Sequence, residues 1–130
     1  MRTQRLDVTT TLSVDRRLAI LAIAGELDLG TAQQLWPSLE RLFDPAPPTA
    51  AGRAVPDPPT SLDAVVLDAT GLEFLDSSGL RVLLRGARLA EDEGTAFRVV
   101  APHPVVRRVL ELSGAARALD LRPSLAEAFA

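Results

Sequence analysis

Two short apolar segments, residues 18–24 and 64–67, most constrain what this chain can fold into. Each is too short for a buried helix and each predicts a strand of a sheet. Residues 6–13, rich in Thr and Val, predict a half-exposed edge strand that a hairpin turn joins to the second strand. We interpret residues 18–24 as buried on both faces and ended by the Gly-Glu-Leu-Asp sequence at 25–28.

Amphipathic helical patterns follow these strands. Thr31 and Gln34 fit a capping box at the start of a first helix, in which Pro37 predicts a kink or a later start because proline has no N–H. Residues 69–75 predict a loop. A second helix begins near Asp76, with an apolar stripe at positions 80, 83, 84, 87 and 90. Its outer face is predicted to carry Arg81, Arg85, Arg88 and Asp92.

The last part of the chain continues the alternation. Residues 96–100 predict a strand, and a third helix opens at His103 between two prolines and ends at Gly114. The inner face of this helix is predicted to be Val105, Val106, Val109 and Leu110. A short strand at 118–121 and a final helix capped by Ser124 complete the order β-β-α-β-α-β-α-β-α. This order predicts an α/β fold with a mixed sheet and crossover helices.

Length and composition exclude several classes of protein. A chain of 130 residues fits one domain, 1–130, and its Pro/Ala-rich segment 44–60 predicts a surface loop inserted before the third strand. A net charge of −3 argues against nucleic-acid binding. No apolar stretch reaches the ~18 residues of a membrane span, so we expect no membrane span and a cytoplasmic location.

Catalytic and cofactor motifs are missing from the sequence. A chain without cysteine and with His103 as its one histidine has no thiolate or multi-histidine zinc site. It has no lysine for a phosphate-binding loop and no Gly-x-Gly-x-x-Gly sequence. We therefore predict no enzyme activity, no cofactor and no metal, with His103 as a helix cap. Five acidic residues are interpreted as caps and loop residues, and the alternative is that they converge on a divalent cation. These residues are Glu26, Asp28, Asp68, Glu73 and Asp76.

The Asp-Ser-Ser-Gly sequence at 76–79 is first of all a helix N-terminal cap. Free N–H groups and the positive end of the helix dipole also favour a phosphate there, and two hydroxyls make the site modifiable. Helical spacing places Ser78 with Arg81 and Arg85, whereas Ser77 aligns with the predicted apolar stripe. We therefore expect Ser78 to face solvent and Ser77 to face inward.

Three motifs in order resemble the STAS domains of bacterial anti-sigma factor antagonists. Residues 71–80 are similar to the phosphorylation loop of that family, residues 25–28 with 31–32 to its turn after the second strand, and residues 106–114 to its third helix. The similarity covers roughly residues 5–43 and 61–129. It implies a STAS-like mixed sheet of four to five strands with helices mainly on one face.

The resemblance also implies a function. Members of the family bind an anti-sigma factor with serine kinase activity and are released when the second serine of Asp-Ser-Ser-Gly, here Ser78, is phosphorylated. The expected partner-binding residues are Asp28, Asp76, Ser77, Ser78, Gly79, Arg81 and Arg85. A serine phosphatase is a further candidate partner, and pairing of two copies through the first strand stays open. The alternatives are a STAS subunit of a transporter or signalling assembly and, from another class, a nucleotide-binding protein.

Overall fold

The computed structural model describes residues 6–13, 17–43 and 62–129, which form five strands and five helices. In chain order they are β1 (Leu6–Ser13), β2 (Leu18–Leu27), α1 (Leu29–Phe43), β3 (Ala64–Leu75), α2 (Ser77–Asp92), β4 (Ala96–Val100), α3 (Pro104–Leu112), α4 (Ala115–Ala118), β5 (Leu121–Arg122) and α5 (Leu125–Ala128). The inserted segment 44–60 predicted from the sequence lies outside the described residues.

The strands form one sheet in the spatial order β1-β2-β3-β4-β5. β1 pairs antiparallel with β2, and every other neighbouring pair is parallel. The predicted mixed sheet is thereby confirmed. Because β2, β3 and β4 run the same way and each leads into a helix, the N-termini of α1, α2 and α3 lie along the same edge of the sheet. We call this edge the C-terminal edge.

The main core lies between the sheet and helices α1 to α4, as the STAS-like arrangement implies. A smaller cluster on the opposite face packs Ala128 of α5 against Val66 and Val100. α5 packs mainly on β4 and β5, so β2 is not buried on both faces. Ala19, Leu21 and Ile23 of β2 are buried, but the alternate residues on the opposite face are only half-buried, and that part of the prediction is wrong.

Two strands are longer than the sequence predicts. β2 does not end at residue 24, and residues 69–75 are strand instead of loop, with Gly71 paired to Ala24 and Leu75 to Leu27. A Cβ on Gly71 would lie 2.7 Å from the Cβ of Ala24. The missing side chain therefore lets the two strands continue side by side where the residue pattern favours a turn.

The cap of α1 also differs from the prediction. Asp28 is the capping residue: its Oδ1 accepts a hydrogen bond from the Thr31 N–H at 3.0 Å, and the Thr31 hydroxyl accepts one from the Asp28 N–H at 2.9 Å. This reciprocal pair is a capping box shifted three residues toward the N-terminus. α1 therefore begins at Leu29, and it runs through Pro37, so the predicted later start is wrong.

The C-terminal elements follow the prediction with two exceptions. His103 caps α3, its Nδ1 accepting from the Val105 N–H at 3.2 Å, and Ser124 caps α5, as predicted. Val105 is 52% exposed and is not part of the inner face of α3. The predicted strand at 118–121 is instead the helical turn α4 followed by β5, which starts at Leu121.

Candidate functional site

Asp76 holds together the N-termini of two helices at the C-terminal edge. Its Oδ1 accepts a hydrogen bond from the Gly79 N–H at 3.0 Å and caps α2, while its Oδ2 accepts one from the Leu29 N–H of α1 at 3.3 Å. The backbone N–H of Asp76 donates to the Leu27 carbonyl at 3.2 Å. One carboxylate thus fixes the start of α2 relative to the start of α1.

Gly79 lies where α2 comes closest to the end of β2. A Cβ at this position would be 2.6 Å from both Cγ and the backbone oxygen of Leu27, and 2.8 Å from Cδ1 of Leu75. Contacts that short require the backbone to move. The glycine after the two serines is therefore required by packing, and it sets how deeply the first turn of α2 sits on the sheet.

The orientation of the two serines is opposite to the prediction. Ser77 is exposed and Ser78 is half-buried. The reason is that the buried stripe of α2 runs through Gly79, Leu83, Gly86 and Ala90, and Leu84 is 36% exposed. The observed stripe keeps Leu83 and Ala90 but is rotated from the predicted one by less than the roughly 100° of one residue, and this makes Ser78 less exposed than Ser77. Both hydroxyl-bearing residues nevertheless lie in the first turn of α2, at its positive end.

The arginines of α2 lie on its outer face, as predicted. Arg81 and Arg85 are exposed, and the guanidinium carbon of Arg85 stands 4.0 Å from the ring centroid of Trp36 on α1. Within the described residues, neither arginine has a carboxylate at ion-pair distance. Arg81, one turn after Ser78, is therefore a cation available to a new anionic group near the helix start.

An exposed set of apolar residues at the C-terminal edge was not found from the sequence. Leu29 begins α1 and is 71% exposed, Phe74 near the end of β3 is 43% exposed, and Val105 in the first turn of α3 is 52% exposed. We call these three residues the apolar rim. The positions of Leu29 and Phe74 directly at a helix start and a strand end are the signal that the sequence offered, whereas Val105 was wrongly assigned to the inner face of α3.

Three of the acidic residues, Asp28, Asp68 and Asp76, act as caps or turn residues. Asp28 is buried and bonded to Thr31, and Asp68 accepts hydrogen bonds from the N–H and the hydroxyl of Thr70. No group of three or more His, Asp or Glu side chains in the described part of the chain is placed to hold a metal ion. None of the described helices is long and apolar enough to cross a membrane.

The predicted site residues therefore meet at one edge. Asp28, Asp76, Gly79 and both serines lie at or within one turn of the starts of α1 and α2, with Arg81 one turn further along. Arg85 lies about two turns along α2, where it contacts α1 instead of the helix start. The arrangement has a modifiable hydroxyl pair, a fixed carboxylate, a free cation and an apolar rim, and it can bind a protein surface.

Comparisons with known proteins show the family and the fold of this chain. A family model described as the STAS domain matches residues 7–128. The anti-sigma-F factor antagonist RsfB of Mycobacterium tuberculosis is 35% identical over 123 residues, which are 93% of this chain and 86% of that protein. The crystal structure of an anti-sigma factor antagonist from Mycobacterium paratuberculosis has a TM-score of 0.70 at 28% identity, covering 95% of this chain and 92% of that one.

A likeness to SLC26A9 is of a different kind. The structure of SLC26A9 has a TM-score of 0.67 at 17% identity, and it covers 86% of this chain but 19% of that one. At this identity the likeness shows the fold alone. It shows that the same fold also occurs as a small part of a much larger chain.

Proposed function

The chain belongs to the STAS domain family, and from that premise we propose that it is an anti-sigma factor antagonist, a protein that acts by binding and not by catalysis. The proposal is supported by two relatives that share most of their length with this chain and are named for this function. It places the chain in the cytoplasm, where sigma factors act, and it makes an anti-sigma factor with serine kinase activity the partner.

The apolar rim carries the proposal. Exposed Leu29, Phe74 and Val105 belong to three different elements, α1, β3 and α3, yet all lie at the edge that presents Ser77 and Ser78. Exposed apolar side chains that several elements bring to one edge are typical of a protein-binding site. We therefore propose that the partner covers the apolar rim and approaches the first turn of α2, with the polar residues of that edge at the border of the contact.

Ser78 is the proposed phosphate acceptor. The family resemblance assigns the modification to the second serine, and the half-buried Ser78 would hold a phosphate closer to the helix N–H groups than an outward-facing Ser77. Phosphorylation adds about −1.5 to −2 charges. The helix dipole and Arg81 can stabilise that charge by about 1 kcal/mol each, so we expect the modified protein to remain folded.

The partner should not tolerate the same charge. A phosphate on Ser78 would lie beside the carboxylate of Asp76. The partner surface that fits the neutral hydroxyl would then face a concentrated negative charge. Removal of the phosphate by a serine phosphatase would restore binding. Because Asp76 also holds the Leu29 N–H, repulsion between phosphate and carboxylate would act on the apolar rim as well as on α2.

The acceptor can be tested with each anti-sigma kinase of the source organism, ATP, and the wild-type, Ser77→Ala and Ser78→Ala proteins. We expect phosphate on Ser78 in the wild-type and Ser77→Ala proteins, and none on Ser78→Ala, as read by mass spectrometry of peptides. Binding of the unmodified protein to the same kinase is measured in parallel. Phosphate on Ser77, or no kinase that binds any of the three proteins, would contradict the proposal.

A further inference from the structure

The outer edge of β1 is open along its whole length in the part of the chain that the structure describes. All eight residues of β1 pair with β2 in one continuous register, and no described strand pairs with its other side. Thr9, Thr10 and Thr11 are exposed, and Asp7 carries the single charge of this strand. Edge strands are normally protected by charged side chains, proline, bulges or inward-pointing charges, and of these β1 has only Asp7, near its start.

We propose that β1 is a self-association surface, on which a second copy of this chain pairs antiparallel with its own β1 about a twofold axis at Thr10. In an antiparallel pair, opposing residues point to the same face, so a symmetric pair must be centred on one residue. Centring on Thr10 places Thr9 opposite Thr11 and Asp7 opposite Ser13 of the second copy. No two carboxylates face each other, and threonines oppose threonines, a favourable cross-strand pair.

Leu12 favours this register over the one centred on Thr9. Leu12 is 53% exposed although Ala19, the residue paired with it on β2, is fully buried. Pairing about Thr10 places Leu12 opposite Val8 of the second copy, and Val8 is half-buried with surface left to cover. Pairing about Thr9 would place Leu12 opposite Leu6, which is already buried and has little surface to offer.

The rest of the fold is compatible with such a dimer. α1 contacts both β1 and β2 on the helix-covered face of the sheet. With strands about 4.8 Å apart, a helix centred over β1 and β2 would lie roughly 10 Å from its symmetry mate, close to the usual packing distance of helices. Because the two β1 strands run in opposite directions, the two C-terminal edges point to opposite ends of the joined sheet. Each copy therefore keeps its own edge free.

The absence of cysteine from this chain makes the register directly testable. Under mild oxidation we expect Thr10→Cys to form a disulfide-linked dimer, because Cα atoms opposite each other across an antiparallel pair are about 4.5–5.5 Å apart and a disulfide needs about 4.4–6.8 Å. Thr9→Cys mixed with Thr11→Cys should cross-link more than either alone. Arg88→Cys, exposed on α2, is the matched control and should stay largely monomeric.

Sedimentation velocity over a series of protein concentrations provides the second readout. We expect a monomer–dimer equilibrium for the wild-type protein and a dissociation constant raised at least tenfold in the double variant Thr9→Lys/Thr11→Lys, in which two lysine pairs oppose each other. Circular dichroism checks that this variant is folded. A wild-type protein that stays monomeric, an unchanged dissociation constant in the folded variant, or cross-linking of Thr10→Cys no greater than that of Arg88→Cys would overturn the proposal.

Discussion

Replacing Gly79 by alanine tests whether the first turn of α2 is held by close packing. Its new Cβ would lie 2.6 Å from the backbone oxygen of Leu27, which belongs to a buried strand and has no rotamer to change. α2 must therefore move outward, and the hydrogen bond from the Gly79 N–H to the Asp76 carboxylate moves with it. The perturbation thus acts on the start of the helix that carries both serines.

The size of the effect follows from two opposing contributions. Inserting a methyl group into a tightly packed site costs about 1–3 kcal/mol. Alanine is a better helix former than glycine by at most about 1 kcal/mol, which offsets part of that cost. We expect the free energy of unfolding to fall by roughly 1–2 kcal/mol for Gly79→Ala, with the lower limit set by how far α2 can shift.

Gly86→Ala is the matched control on the same helix. Its Cβ would lie 3.0 Å from Cδ1 of Leu39, the end of a flexible side chain that can give way. Here the gain in helix propensity should cancel the packing cost to within about 0.5 kcal/mol. Urea denaturation, followed by circular dichroism and by the fluorescence of the single tryptophan Trp36, measures both variants. A Gly79→Ala protein as stable as Gly86→Ala would refute the reasoning.

Three further substitutions test other contacts. Asp76→Ala should lower the free energy of unfolding by about 1–2 kcal/mol because α2 loses its cap, and urea denaturation measures this. Arg85→Ala should cost about 0.5–1 kcal/mol and change the emission of Trp36, since the cation leaves the ring; unchanged emission would contradict the contact. The hydrogen bond from Arg122 lowers the pKa of Asp120. Asp120→Asn should therefore be less stable than the wild type by up to about 1 kcal/mol at neutral pH. This difference should shrink as the pH falls below about 4, where the carboxyl of the unfolded chain takes up a proton, and vanish below the lower pKa of the folded protein. A difference that is constant between neutral and acidic pH would argue against the pair.

Much of the fold could be predicted because its signals are local. The run Val65, Val66 and Leu67 is fully buried in the middle of the sheet, as a short apolar run predicts. His103 and Ser124 cap their helices because a cap depends on residues only two or three positions apart. The outer arginines of α2 follow from helical spacing alone.

The errors occur where glycine replaces an apolar side chain in close packing. Gly79 and Gly86 belong to the buried stripe of α2, but a count of apolar residues passes over them and chooses Leu80 and Leu84 instead. The same error led to the wrong prediction that Ser77 faces inward and Ser78 faces solvent. Residues 69–75 have a glycine and polar residues typical of a loop, and only their pairing with β2, which is distant in sequence, makes them a strand.

The cap at the candidate site was predicted from the sequence, but the surroundings of that cap were not. Asp76 was expected as a cap, and its second hydrogen bond, to the Leu29 N–H of α1, depends on the tertiary arrangement of two loops. The apolar rim likewise forms only when three strand ends meet at one edge. The spacing of residues along the chain does not show that these ends lie together, because Leu29, Phe74 and Val105 are about 45 and 30 residues apart.

The proposed switch is tested most directly by one comparison of affinities. The anti-sigma kinase that modifies the protein is titrated calorimetrically, without ATP, with the unmodified protein and with the same protein phosphorylated on Ser78. We expect the unmodified protein to bind and the phosphorylated protein to bind at least tenfold more weakly, a difference of at least about 1.4 kcal/mol. Equal affinity of the kinase for the two forms would contradict a switch at Ser78.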